Sequence, residues 1–265
     1  LRELARRDVA VATTAARMRF TFAVGPQFFS EIAKFRAFRL LWARVMAAFG
    51  AGAAAKDVVV HARTGTWNKT LHDVHVNMLR VTTEACSAVL GGVDSLHVSP
   101  YDEVCGTSDE ISQRIARNVH TLLAEEFHFT DTSDPAGGSW YVEKLTDDFA
   151  RRAWKLFQEI EALGGYAAAL RAGMPQKLVN ASAADKDDAI SKRRAGLIGT
   201  NLFPNLREKP PVVKTSAAGA AVTDGCEEIA TVKARRAAEG FEELRRAADG
   251  FAQRTGARPK VFVAK

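Results

Sequence analysis

VVVHARTGTWNKTLHDVHVNMLRVTTEACSAVLGGVDSLHVSP, residues Val58 to Pro100, is the stretch whose reading decides the fold. A β-branched run, Val58 to His61, leads into a polar turn. From about Asp73 to Leu90 the apolar residues recur at helical spacing, and Gly91-Gly92 closes that run. A second short strand reads from Ser95 to Val98. Strand, loop, helix and strand of these lengths make two adjacent parallel strands joined by a right-handed crossover. Polar residues end both strands: His61, Arg63 and Thr64 after the first, His97 and Ser99 after the second. Ligands of α/β sheets and barrels bind at such carboxyl ends, so a site is sought there first.

Working outward, Leu1 to about Ala16 reads as the remnant of a helix. Met18 to Val24 reads as a buried strand ended by Gly25-Pro26. Phe28, Phe29, Ile32, Phe35, Leu40 and Leu41 then repeat at helical spacing, in a helix that runs to Phe49 and stops at Gly50 and Gly52. After Pro100, Ser108 reads as the N-cap of a helix reaching about Phe127. Three strand–helix units in a row fit either an open doubly wound sheet or part of a (β/α)8 barrel. No GxGxxG or GxxxxGK[ST] follows any of the strands, which removes the usual dinucleotide and P-loop signals.

The character changes at Thr130. A turn-rich segment, a short strand at Trp140 to Val142 and an amphipathic helix from Leu145 to Leu163 come first. Tyr166 to Arg171 is a further helical turn, ended by Pro175, and Asn180 to Arg194 is a polar helix. Lys209 to Gly225, with two prolines and then small residues, reads as a linker. Glu227 to Arg254 reads as a charged helix, and Lys260 to Ala264 as the first strand of another α/β domain.

The chain is 265 residues long and 47% hydrophobic, enough to bury a sizeable core. Its net charge of +6 is spread along helices, without RGG repeats, zinc-finger spacing or basic–aromatic alternation, so nothing points to nucleic acid. Cys86, Cys105 and Cys226 are far apart and odd in number, and read as reduced thiols of an intracellular protein, Cys86 on the apolar face of a helix. No apolar run is long enough for a membrane span, and the Arg-rich start lacks the apolar region of a secretory signal. Leu1 in place of Met reads as a start inside a longer natural sequence.

Among the candidate constellations, Arg63 with His61 or His97 suits an anionic acyl or phosphate-bearing ligand, and hydrogen bonds to loop backbone explain the same residues equally well. Asp73-Val74-His75 lacks a third ligand at metal-binding spacing. The acid pairs Asp102-Glu103 and Glu125-Glu126 are adjacent in sequence, so their side chains point apart. Ser87, Ser95 and Ser99 have no nucleophile-elbow sequence around them.

Four blocks carry more than these signals: FFSEIAKFRAFRLLW (Phe28–Trp42), VNMLRVTTEACSAVLGGVDSLHVSPYDE (Val76–Glu103), RIARNVHTLLAEE (Arg114–Glu126) and DPAGGSWYVEKLTDDFARRAW (Asp134–Trp154). Together they resemble the methylmalonyl-CoA mutase family, most closely its small, non-catalytic subunit. The resemblance implies that residues 1–130 are the last β/α units of a (β/α)8 TIM barrel and 131–208 a helical extension after the barrel. It makes 209–226 the linker and 227–265 the start of a flavodoxin-like, cobalamin-type domain.

The activity implied for the whole enzyme interconverts methylmalonyl-CoA and succinyl-CoA by a radical rearrangement that adenosylcobalamin supplies. The small subunit would pair with a catalytic large subunit in a heterodimer in the bacterial cytoplasm. That partner would bind both the cofactor and the acyl-CoA, leaving no catalytic residue in this chain. Two departures carry this assignment. Where the catalytic chain has RTHxQTSGWSLT, this chain has HARTGTWNKTLHD, and where it has a GHTQ-like run before SLH, this chain has Gly91-Gly92-Val93-Asp94. The cobalt-ligating DxHxxG motif is absent. The alternative is a fragment of a catalytic acyl-CoA mutase chain with altered substrate preference, in which Arg63, Ser95 and His97 bind the coenzyme A ester.

Overall fold

A computed structural model describes residues 1–208 and 229–260. Three parallel strands, β1 (Arg19–Val24), β2 (Val59–Thr64) and β3 (Ser95–His97), form one sheet in the order β1-β2-β3. Two short helices, α1 (Arg2–Ala5) and α2 (Val11–Arg17), precede β1. Helix α3 (Phe28–Ala48) connects β1 to β2, α4 (Val76–Leu90) connects β2 to β3, and α5 (Glu110–Thr121) follows β3 and widens into a π-helical turn at Leu122–Glu126. The architecture is therefore mixed α/β on a parallel sheet, built from three successive strand–helix units.

Side-chain alternation places the core on one face of that sheet. Val24, Val60 and Ala62 join Phe35, Trp42, Met46 and Ala88 in a buried cluster. Phe20 lies against Phe38 and Trp42, at centroid distances of 4.8 and 4.9 Å, and these edge contacts add to area burial. A second cluster, Val81, Ala85, Val98, Ala116, Val119 and Leu123, joins α4 to α5, and half-buried Cys86 packs on it. The opposite face carries Arg19, Thr21 and Ala23 of β1, Arg63 of β2, and Ser95 and His97 of β3, all exposed, with His61 half-buried among them. Met18–Val24 is thus not a strand buried on both faces: every second residue of β1 faces outward.

The segment after α5 wraps this core. Helix α6 (Trp140–Ala162) lies against α3. Arg36 of α3 holds the turn before α6, donating to both oxygens of Asp134 (3.0 and 2.9 Å) and to Glu143 (2.8 Å). Helices α7 (Tyr166–Arg171), α8 (Met174–Ser191) and α9 (Glu239–Thr255) follow.

Several local expectations change. Trp140–Val142 opens α6 rather than forming a strand, because Ser139 and the turn before it start the helix there. Pro175 does not end a helix; it stands in the first turn of α8, where its missing N–H costs nothing. The cap of α5 is Asp109, whose carboxylate accepts from the N–H of Ser112 at 2.8 Å, and not Ser108. The charged helix begins at Glu239, with residues 229–236 non-helical. All of the expected linker, Lys209–Gly225, and all but Lys260 of the expected last strand, Lys260–Ala264, lie outside the described residues. No helix among those described is long and apolar enough to cross a membrane.

Candidate functional site

Parallel register brings the residues singled out in the sequence together. His61 stands beside Ser95, and Arg63 beside His97, all on the open face of the sheet. Arg63 is not beyond the strand, as expected, but inside β2, which extends to Thr64. The His61 Nδ1 and Ser95 Oγ lie 2.8 Å apart. Arg63 forms an ion pair with Glu103, a residue that sequence reasoning set aside. Helix α5 adds Arg117 and His120, which with His61, Arg63, His97 and Glu103 line a cleft of about 840 Å³ beside β3; Ser95 lies outside that lining.

Partial desolvation at the cleft wall, and then the neighbouring His97, hold the His120 imidazole below its ordinary range. A depressed folded-state value means stability that is present above the ordinary imidazole pKa and lost as pH falls through the folded value. Wild type is therefore expected to lose more stability between pH 8 and pH 5 than His120→Gln, as read by urea unfolding of the full-length parent chain. Parallel losses would refute this role.

The loop between β2 and α4 turns its polar groups inward. Lys69 Nζ sits 2.7 and 2.8 Å from the two oxygens of Glu84, and Asn68 Nδ2 donates to the same carboxylate at 2.8 Å. All three residues are buried. Burial pushes the Glu84 carboxyl up and the Lys69 ammonium down, while their mutual attraction pulls both back. Fully buried Asn77 donates to the carbonyls of Thr70 and Tyr101, both at 2.9 Å, tying the loop after β2 to the loop after β3. The hydroxyl of Thr64 accepts from the N–H of Ser99 at 2.9 Å, a second tie between the same strand ends.

Asp73-Val74-His75 is also committed locally. The Asp73 N–H donates to both oxygens of Glu208 (2.8 and 3.0 Å), and the His75 ring lies 5.2 Å from that of Tyr101. No group of three or more His, Cys, Asp or Glu among the described residues is arranged to hold a metal ion. Asp94, the last residue of the Gly91–Asp94 run, serves the opposite end of the sheet. Its carboxylate accepts from the N–H of Val60 at 2.8 Å and from Arg39 at 2.9 Å, at the amino ends of β2 and β3. That substitution therefore bears on sheet assembly and not on the carboxyl-end cleft.

The match to known proteins runs through all of these elements. A family model described as methylmalonyl-CoA mutase matches residues 1–258. The chain belongs to the methylmalonyl-CoA mutase family. It is 41% identical over 251 residues to the methylmalonyl-CoA mutase small subunit of Porphyromonas gingivalis, covering 94% of this chain and 40% of that protein. With the small subunit of Streptomyces virginiae it shares 42% identity over 264 residues, 100% of this chain and 41% of that protein. With the large subunit of the same organism it shares 43% over 190 residues, 71% of this chain and 26% of that one. The chain thus spans about two-fifths of the small subunits it matches.

The sequence reading missed the buried Asn68–Lys69–Glu84 cluster and the place of Arg117 and His120 in the cleft. A signal existed for the first. Glu84 falls on the stripe of α4 that also carries Asn77, Val81 and Ala88, and a carboxylate on a buried stripe needs a buried cation. No comparable signal marks His120, whose place in the cleft follows only from the packing of α5 beside β3.

Proposed function

We propose that this chain is a segment of the small, non-catalytic subunit of methylmalonyl-CoA mutase, whose role is to pair with and stabilise a catalytic large subunit. The observation that carries this reading is how the cations at the strand ends are used. A coenzyme A ester presents phosphates, which favour free, forked or exposed cations. Here Arg63 is spent on Glu103 and Lys69 on Glu84, so the strand-end loops are closed on themselves. The match to small subunits over 94% and 100% of the chain, against 71% for a large subunit, supports the same assignment.

On this reading residues 1–130 are the last units of a (β/α)8 barrel. A parallel sheet normally has both faces covered, and the remaining strands of a closed barrel would cover the polar face left open here. Residues 131–208 are the post-barrel extension, 209–226 the linker and 227–265 the approach to a cobalamin-type domain. Adenosylcobalamin supplies the radical chemistry of the holoenzyme. The described residues do not fit it: the chain's single Asp-x-His is Asp73-Val74-His75, held by Glu208 and Tyr101, with Met78 where the motif needs glycine. On the small-subunit reading the cofactor and acyl-CoA are assigned to the large subunit, in the bacterial cytoplasm, with neither nucleic acid nor membrane as partner.

A second reading is an altered catalytic chain in which Arg63, Ser95 and His97 hold the acyl-CoA; the cleft supports it through Arg63 and His97, with Ser95 reaching it only through His61. One experiment separates the two. The full-length parent chain, purified alone, is titrated with adenosylcobalamin and with methylmalonyl-CoA, and then mixed with the large subunit. Co-elution with the large subunit and no tight binding alone is the expected result. Tight binding of either ligand by the lone chain, weakened by His97→Ala, would establish the second reading instead.

A further inference from the structure

The loop between β2 and α4 is held from outside at alternate positions. The Trp67 carbonyl accepts from the N–H of Ala237 at 2.7 Å, and the Lys69 carbonyl from Arg236 at 3.3 Å. The Leu71 N–H donates to Glu242 at 2.8 Å, and the Asp73 N–H to Glu208. Four backbone groups, two residues apart, are thus satisfied by chain more than 130 residues downstream. Arg236 and Glu242 lock the arrangement with a two-pronged ion pair at 2.9 and 2.7 Å, and Glu242 is buried. Trp67 packs with Ile190, Leu197, Ala237 and Ala238, which seals the contact with apolar surface.

We infer that Arg236 and Glu242 are positioning residues for this loop, so that the conformation of the β2 carboxyl end depends on the docking of α9. The physical reason is the cost of orphaned backbone groups. The 67–73 loop has no ladder or helix of its own to satisfy these donors and acceptors, and a buried one left unmade is expensive. Undocking α9 with Arg236 and Ala237 just before it would strand three at once, at Trp67, Lys69 and Leu71, so loop and helix move together or not at all. The dependence is reciprocal: any ligand or partner that shifts the loop must also shift the α9 equilibrium by the same factor. The inference stands on this geometry and does not require the chain to be a small subunit.

Hydrogen exchange of the full-length parent chain, alone and with its large subunit, reads the dependence directly. Glu242→Ala is expected to raise exchange across Trp67–Asp73 by about ten-fold or more, while β1 and α3 keep their rates. Glu242→Gln retains the acceptor for Leu71 and is expected to restore most of the protection. Arg236→Met, which leaves Glu242 in place, should give an intermediate rise and serves if Glu242→Ala does not fold. Unchanged exchange over 67–73 alongside a loosened α9 would overturn the inference. So would a uniform rise across the whole sheet, which marks global destabilisation.

Discussion

Lys69→Met is expected to lower the unfolding free energy of the full-length parent chain by about 3–5 kcal/mol at pH 7, because it leaves a buried carboxylate without its cation. Glu84 would then keep only the Asn68 amide, 2.8 Å away. Burial already raises the Glu84 carboxyl, and the ammonium is the main influence holding it down. Without Lys69 its pKa climbs further. A raised folded-state value gives stability that is full below the unfolded pKa and lost as pH rises through the folded one. The deficit of Lys69→Met should therefore shrink from pH 7 to pH 5, as the carboxyl takes up a proton. The double variant Lys69→Met/Glu84→Leu should recover most of the loss, since a buried pair replaced by apolar groups of similar volume is often near neutral. Urea unfolding at the two pH values tests all three statements, and a deficit independent of pH would refute the assignment.

Phe35→Ala is expected to cost about 3–5 kcal/mol by the same measurement, the range for removing a fully buried aromatic ring. Phe35 is 1% exposed and meets Phe22 edge-on at 5.9 Å. Its surroundings are poorly placed to collapse. A Cβ added at Gly91 would come within 2.8 Å of the ring, so the chain between α4 and β3 already lies flat on it. Helix α3 is itself fixed from the other side by Arg36 through Asp134 and Glu143. A loss under about 1 kcal/mol would mean that α3 moves into the space, against this account of its anchoring.

Much of the core was legible in the chain. The helical spacing from Phe28 to Leu41 placed α3, and the β-branched run Val58–Val60 leading into a polar turn placed β2. The strand–helix–strand order then required parallel strands, and the observed register sets His61 beside Ser95 and Arg63 beside His97. Those residues shared a face for a simple reason: side-chain direction alternates with period two along each strand.

Less legible were the boundaries and partners set by distant chain. Trp140–Val142 looks like a strand by composition, being aromatic and β-branched. The turn before it and Ser139 make it the first turn of α6 instead, where Tyr141 meets Phe29 of α3 at 5.5 Å. Glu103 was set aside because it neighbours Asp102, yet the loop after β3 returns it to Arg63.

What the sequence by itself determined was the repeating unit, the parallel order of its strands and the residues that line the strand ends. These follow from local periodicity, which acts over a few residues. Only the tertiary structure decided how those residues are used. Arg63 and Lys69 are cations in any reading of the chain; finding that each is neutralised by its own carboxylate required positions 40 and 15 residues away to be brought into contact. Such pairings are chosen by packing in three dimensions, where burying a charge without a partner is too costly to persist.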